Sequence, residues 1–158
     1  DYAWQKYDYE KNIKMTKQEV KEEQRQERGN SEVKGRVKSL QRQLSRTRMM
    51  NAVPNATVVV TNPTHIAVAL QYAPNGPSDA PKVVAKGQRK TAERIKLLAK
   101  ENDIPVLEDK PLARTLFQTL EVGMEIPPIF YQAVAEVLAK VFQMQRNNPY
   151  LKSTLAHG

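Results

Sequence analysis

The pattern of hydrophobic and polar residues divides the chain near residue 51. Residues 1–50 contain no proline and are mostly polar or charged. The Thr-x-x-Glu sequence at Thr16 is a capping box, which predicts a helix start. The Gly-Asn-Ser run at 29–31 predicts a break before a second helix, with one long helix over 1–50 as the open alternative. Four aliphatic residues with helical spacing then form a narrow apolar stripe. They are Val33, Val37, Leu40 and Leu44.

After residue 51 the pattern alternates between short apolar runs and turn residues. It predicts four strands, over 56–61, 66–72, 82–86 and 104–108. Helical periodicity predicts three further helices: one over 89–101, one capped by Asp109 and stopped by Gly123, and one opened by the prolines at 127–128. The third strand, the helix and the fourth strand form a β-α-β unit, which favours a parallel pair.

These elements predict an α/β fold. We expect a small four-stranded mixed sheet flanked by helices, with a long N-terminal helical linker. The predicted organisation is a helical linker over 1–50, a globular domain over 51–146 and a flexible tail over 147–158.

The charged residues predict a basic surface, mainly on residues 1–50. The chain of 158 residues has a formal net charge of +8, and residues 1–50 hold 13 Lys and Arg against 8 Asp and Glu, a net of +5. Such a surface suits anionic lipid, nucleic acid or an acidic protein, or is simply a solvated helical face. No apolar run approaches the roughly 20 residues that span a bilayer.

Residue types exclude several chemistries. The chain has no cysteine, which removes disulfides, zinc-thiolate sites and cysteine nucleophiles. Its two histidines, His65 and His157, are too few for a metal cluster. No phosphate loop, nucleophile elbow or dinucleotide fingerprint is present, so no cofactor or metal is expected.

Asn62-Pro63, between the first two predicted strands, carries the most distinctive chemistry. Asparagine usually ages when the next backbone nitrogen attacks its side-chain carbonyl, but the proline nitrogen has no hydrogen, so that route is closed. The remaining cyclisation has the Asn62 side-chain nitrogen attack its own main-chain carbonyl, which expels Pro63 and cuts the chain. An amide is a poor nucleophile, so the fold must supply proximity.

The residues around this bond predict a turn that assists the reaction. With Asn62 at the first position, Pro63 suits the second, Thr64 takes the third and the His65 N–H bonds the Asn62 carbonyl. That bond would polarise the scissile carbonyl as an oxyanion donor does. The His65 side chain could shuttle a proton, whereas Thr64 shapes the turn. From these residues alone, an ordinary uncleaved turn remains the alternative.

The residues from 58 to 72, with Asn-Pro-Thr-His at 62–65, resemble the FlhB/YscU family of export-switch proteins in bacterial type III secretion. The resemblance covers nearly the whole chain and is closer to the flagellar branch than to the injectisome branch. Further matching segments lie at 14–21, 48–50, 80–87, 111–114, 126–127 and 133–138.

The resemblance implies a self-cleaving cytoplasmic domain. Cleavage would fall between Asn62 and Pro63, with the pieces staying together, and would be tied to switching export from rod and hook to filament substrates. It would be a single-turnover event rather than enzymatic turnover. A transmembrane domain would precede residue 1, which places this domain on the cytoplasmic side of the bacterial inner membrane.

The family also implies the partners of this domain. They would be other export-gate membrane proteins, export substrates and a hook-length control protein, and no nucleic acid is expected. Two alternatives remain at this stage. One is an injectisome paralogue with the same self-cleavage, and the other is a basic lipid- or nucleic-acid-binding module in which Asn62-Pro63 is only a turn.

Overall fold

The computed structural model describes residues 1–74, 76 and 79–148. The predicted flexible tail over 147–158 lies outside the described residues from 149 onward. The chain divides into two compact units, residues 1–45 and residues 46–158.

The N-terminal region forms one helix, α1, which spans Tyr2–Ala52. The predicted start at Thr16 and the predicted break at 29–31 are therefore wrong. The Thr16 hydroxyl donates to the Asn12 carbonyl one turn earlier instead of capping a helix end. A single glycine costs a helix only about 1 kcal/mol, and the many Glu, Gln, Lys and Arg residues on either side favour the helix. The apolar stripe at 33–44 is exposed.

A four-stranded sheet forms the centre of the second unit. Its strands are β1 (Val58–Asn62), β2 (Ile66–Gln71), β3 (Lys82–Gln88) and β4 (Val106–Glu108). The order is β3-β2-β1-β4, with β2 antiparallel to both neighbours and β4 parallel to β1. The predicted mixed sheet is confirmed, but β3 and β4 lie at opposite edges, so the β-α-β pair is not adjacent. The hairpin strands β1 and β2 separate them.

Helices cover both faces of the sheet. Helix α2 (Lys90–Glu101) packs on one face, together with the end of α1 and the 3-10 turn Val53–Asn55. Helices α3 (Lys110–Thr119) and α4 (Tyr131–Asn147) pack on the other. Because alternate strand residues point to opposite faces, Val58 and Val60 join the α3 and α4 side and Val59 joins the α2 side. β1 is buried on both faces, as the run of β-branched residues predicts.

The sequence signals predicted for the two ends of α3 have different outcomes in the structure. Asp109 caps the helix as predicted, since its Oδ1 accepts the Leu112 N–H at 3.2 Å. The predicted stop at Gly123 is wrong, because α3 ends at Thr119. Gly123 lies instead in a later turn with φ of 93°, where its N–H donates to the Val83 carbonyl at 2.7 Å. The chain after α3 thus runs along β3, and this tertiary pairing ends the helix early.

Candidate functional site: the turn between the first two strands

The turn at 62–65 has the geometry that the sequence predicts. Asn62 is the last residue of β1 and pairs with Ile66, the first residue of β2, so Pro63, Thr64 and His65 form the loop. The His65 N–H donates to the Asn62 carbonyl at 3.0 Å. That carbonyl belongs to the peptide bond between Asn62 and Pro63. One donor therefore already lies on the oxygen that would gain negative charge if this carbonyl were attacked.

The strand that ends at Asn62 is held on its other edge by β4 and α3. The Asp109 N–H donates to the Thr61 carbonyl at 3.0 Å, and the Thr61 hydroxyl lies 3.4 Å from the Leu107 carbonyl. These contacts reach the residue directly before Asn62. The main chain is therefore held up to the peptide bond between Asn62 and Pro63. A main chain that is already held loses less entropy when a side chain cyclises onto it.

The Asn62 side chain lies in a nearly enclosed place. The residue is 6% exposed and, by strand alternation, its side chain lies on the same face as Val58 and Val60. Within the described residues, no hydrogen bond engages the Asn62 side-chain amide. Its amide nitrogen is therefore not tied to another described group by a hydrogen bond.

The three loop residues are exposed, unlike Asn62. Among the described residues, the Thr64 hydroxyl and the His65 imidazole form no hydrogen bond. The structure therefore brings the main chains of Asn62 and His65 together, but it does not join their side chains. The proton-shuttling role of His65 and the shaping role of Thr64 stay predictions.

Two contacts with the loop were not foreseen from the sequence. The Lys96 ammonium, on α2, donates to the Pro63 carbonyl at 2.9 Å. The Arg89 N–H donates to the His65 carbonyl at 3.0 Å. Both donors come from the segment that follows β3, more than twenty positions along the chain. No local pattern predicts them, because they depend on where α2 crosses the sheet.

The described part of the chain shows neither a metal-binding cluster nor a membrane-spanning helix. No group of three or more His, Cys, Asp or Glu side chains in it could hold a metal ion. No helix in it is both long and apolar enough to cross a membrane.

The fold and the turn define a small mixed-sheet domain with an Asn-Pro bond at a hairpin. Residues 1–141 match the FlhB HrpN YscU SpaS Family. The chain belongs to this family, whose members are components of protein-export apparatus.

Proteins named flagellar biosynthetic protein FlhB are similar to this chain along most of its length. The flagellar biosynthetic protein FlhB of Aquifex aeolicus is 51% identical over 141 residues, which is 89% of this chain and 40% of that protein. FlhB of Yersinia enterocolitica is 53% identical over 136 residues, or 86% of this chain and 35% of that protein. The chain thus spans less than half the length of the relatives it matches.

Solved structures share the fold. The cytoplasmic domain of FlhB from Shewanella putrefaciens has a TM-score of 0.62 at 40% identity, covering 68% of this chain and 83% of that one. A mutated EscU C-terminal domain has a TM-score of 0.56 at 38% identity, covering 59% of this chain and 84% of that domain. The predicted fold class is therefore confirmed.

Proposed function

We propose that this chain is the cytoplasmic domain of a flagellar export-switch protein, and that it cuts its own backbone between Asn62 and Pro63. The observation that supports this most directly is the 3.0 Å hydrogen bond from the His65 N–H to the Asn62 carbonyl. It lies on the carbonyl of a peptide bond whose leaving nitrogen is that of a proline.

The proposed reaction is an intramolecular cyclisation. The Asn62 side-chain nitrogen bonds to the Asn62 main-chain carbonyl carbon, the bond from that carbon to the Pro63 nitrogen breaks, and the Pro63 nitrogen takes up a proton. The products are a C-terminal succinimide at residue 62 and a free secondary amine at residue 63. The His65 N–H stabilises the charge on the carbonyl oxygen as the adduct forms. One event consumes the site, so the reaction occurs once per chain.

Solved EscU C-terminal domains also concern an asparagine that is followed directly by a proline. EscU C-terminal domains have been solved with an asparagine replaced by Asp or by Ala, and with the proline at the next position replaced by Ala. The two adjacent residues that were changed in these variants are of the same types as Asn62 and Pro63.

The flagellar assignment is favoured over the injectisome one by the names and identities of the relatives. FlhB proteins of several bacteria are 39–53% identical to this chain over most of its length. Among the solved structures the difference is small, with 40% identity for the FlhB domain and 38% for the EscU domain. In this assignment, cleavage prepares the switch from rod and hook substrates to filament substrates. The partners are other export-gate membrane proteins, export substrates and a hook-length control protein, and the domain works on the cytoplasmic side of the inner membrane.

Mass spectrometry of the purified chain tests self-cleavage. The expected result is two fragments, residues 1–62 and 63–158, whose summed mass equals that of the intact chain until water opens the succinimide. Asn62→Ala, which removes the side-chain nucleophile, is expected to abolish the fragments.

Asn30→Ala is the matched control, since Asn30 is an exposed residue of α1, and this variant is expected to cleave like the unmodified chain. A single intact mass after long incubation at mildly alkaline pH contradicts the proposal. Fragments that persist in Asn62→Ala contradict the role of Asn62.

A further inference from the structure

Lys96 is a half-buried lysine of α2 whose ammonium reaches the loop that follows Asn62. Its Nζ lies 2.9 Å from the Pro63 carbonyl oxygen. On the same helix Lys100 is exposed, and no contact joins its side chain to the described residues of the loop. The loop contact is thus particular to Lys96 and is not a general property of a basic helix.

The Pro63 carbonyl belongs to the residue that would leave in the cyclisation. Pro63 is exposed and lies outside the strand pairing, whereas Asn62 is fixed by β2 and the neighbouring Thr61 by α3 and β4. The leaving side of the bond therefore has fewer main-chain restraints than the attacking side. Lys96 adds a restraint on the leaving side, because a donor on the Pro63 carbonyl restrains the peptide plane next to the proline ring.

The far end of the loop is held as well. The Arg89 N–H donates to the His65 carbonyl at 3.0 Å, one residue before α2 begins. The loop is therefore held from the α2 side at Pro63 and at His65, while the His65 N–H closes it onto Asn62. The contacts at His65 come from main-chain N–H groups, whereas the contact at Pro63 comes from the Lys96 side chain.

We infer that Lys96 is a positioning residue for cleavage at Asn62-Pro63, an inference that rests on the proposed self-cleavage. Its ammonium holds the Pro63 carbonyl so that the carbon–nitrogen bond keeps one orientation to the Asn62 amide. It also withdraws electron density from the departing residue, which favours release of the Pro63 nitrogen. Lys96 touches neither the scissile carbonyl nor the nucleophile, so it acts through Pro63.

The rate of cleavage in newly made full-length chain tests this inference. Cell-free synthesis with a labelled pulse and a chase follows the intact chain and both fragments over time. Lys96→Met is expected to slow cleavage on the order of tenfold, because the reacting groups are then less well oriented. Lys96→Arg, which keeps a cationic donor, is expected to restore most of the rate. Lys100→Met is the matched control and is expected to cleave like the unmodified chain.

A spectroscopic measurement separates this role from general destabilisation. In the uncleavable Asn62→Ala background, Lys96→Met is expected to shift the Thr64 backbone nitrogen resonance, because that nitrogen shares a peptide bond with the Pro63 carbonyl. Lys100→Met leaves it in place. The two variants are expected to have similar melting temperatures.

The outcomes distinguish the inference from the proposed function. If the unmodified chain stays intact, the proposed function fails, and the inference falls with it. If the unmodified chain cleaves and Lys96→Met cleaves at the same rate, only the inference is overturned. A Lys96→Arg chain as slow as Lys96→Met, or an unshifted Thr64 resonance, also overturns it. Lys96→Ala, which also lacks a donor, replaces Lys96→Met in every comparison if the methionine variant does not fold.

Discussion

The Lys86 ammonium, on β3, donates a 2.8 Å hydrogen bond to the carbonyl of Leu120, the residue that follows α3. It also donates to the Phe117 carbonyl at 3.1 Å and lies 5.0 Å from the centre of the Phe117 ring. The last carbonyls of a helix lack partners within the helix and carry the negative end of its dipole. Lys86 therefore fixes the end of α3 to the sheet.

Replacing this lysine is expected to destabilise the domain. Lys86→Met keeps much of the side-chain volume but leaves two helix-end carbonyls without their charged donor. The expected loss is about 1–3 kcal/mol in the free energy of unfolding, measured by chemical denaturation in the Asn62→Ala background. The ion pair with Glu121 at 3.5 Å adds little, because that glutamate is exposed. Lys82→Met, on the exposed start of the same strand, is the control, and an equal loss there would contradict the assigned role.

Gly87 is required by the close approach of α2. A Cβ at this position would overlap Thr91 Cγ2 and would lie 2.8 Å from Thr91 Cβ. Gly87→Ala is therefore expected to cost about 1–3 kcal/mol of stability through overpacking. Thr91→Ala removes the nearest methyl group and should recover part of the loss, which a double-mutant cycle of unfolding free energies measures.

The glycine control for this prediction lies in α1. A Cβ at Gly35 meets nothing within 4 Å, so Gly35→Ala is expected to raise helix content, as seen by circular dichroism, with no loss of stability in the sheet domain. A neutral Gly87→Ala would show that the sheet and α2 separate more easily than their packing indicates.

Arg89 adopts a backbone conformation that favours glycine, with φ of 55° and ψ of −121°. Arg89→Gly relieves this strain, and we expect a gain of about 1 kcal/mol in the free energy of unfolding, after the entropy cost of glycine. The N–H that bonds the His65 carbonyl remains, so cleavage is expected to continue. Lys90→Gly, one residue later and inside α2, should instead destabilise. Equal losses in both variants would contradict the strain argument.

Pro63→Ala changes the chemistry of the proposed cleavage. It restores a backbone N–H at residue 63 and frees the φ angle that proline holds, so the Asn62 side-chain carbonyl can now be attacked from residue 63. We expect cleavage to slow by more than about tenfold and deamidation of the intact chain to appear. Intact-mass measurement over time separates the two products. Pro74→Ala, in an exposed turn, is the control, and an unchanged cleavage rate in Pro63→Ala would contradict the importance of the turn.

Much of the fold follows from local patterns in the sequence. The β-branched runs mark β1 and β2, Asp109 caps α3, and the Asn-Pro pair requires a turn whose closing donor is the His65 N–H. Each of these depends on residues within a few positions of one another. Local geometry therefore suffices to predict them.

Other features were decided only by the tertiary structure. The separation of β3 from β4 by the hairpin, the end of α3 at Thr119 and the reach of Lys96 to the Pro63 carbonyl all join distant parts of the chain. Strand order depends on which apolar faces pack together. The end of α3 depends on the pairing of the following residues with β3. The sequence by itself determined the bond at Asn62-Pro63 and the turn around it. The tertiary structure decided that α2 holds that turn, because only packing across the sheet brings Lys96 to it.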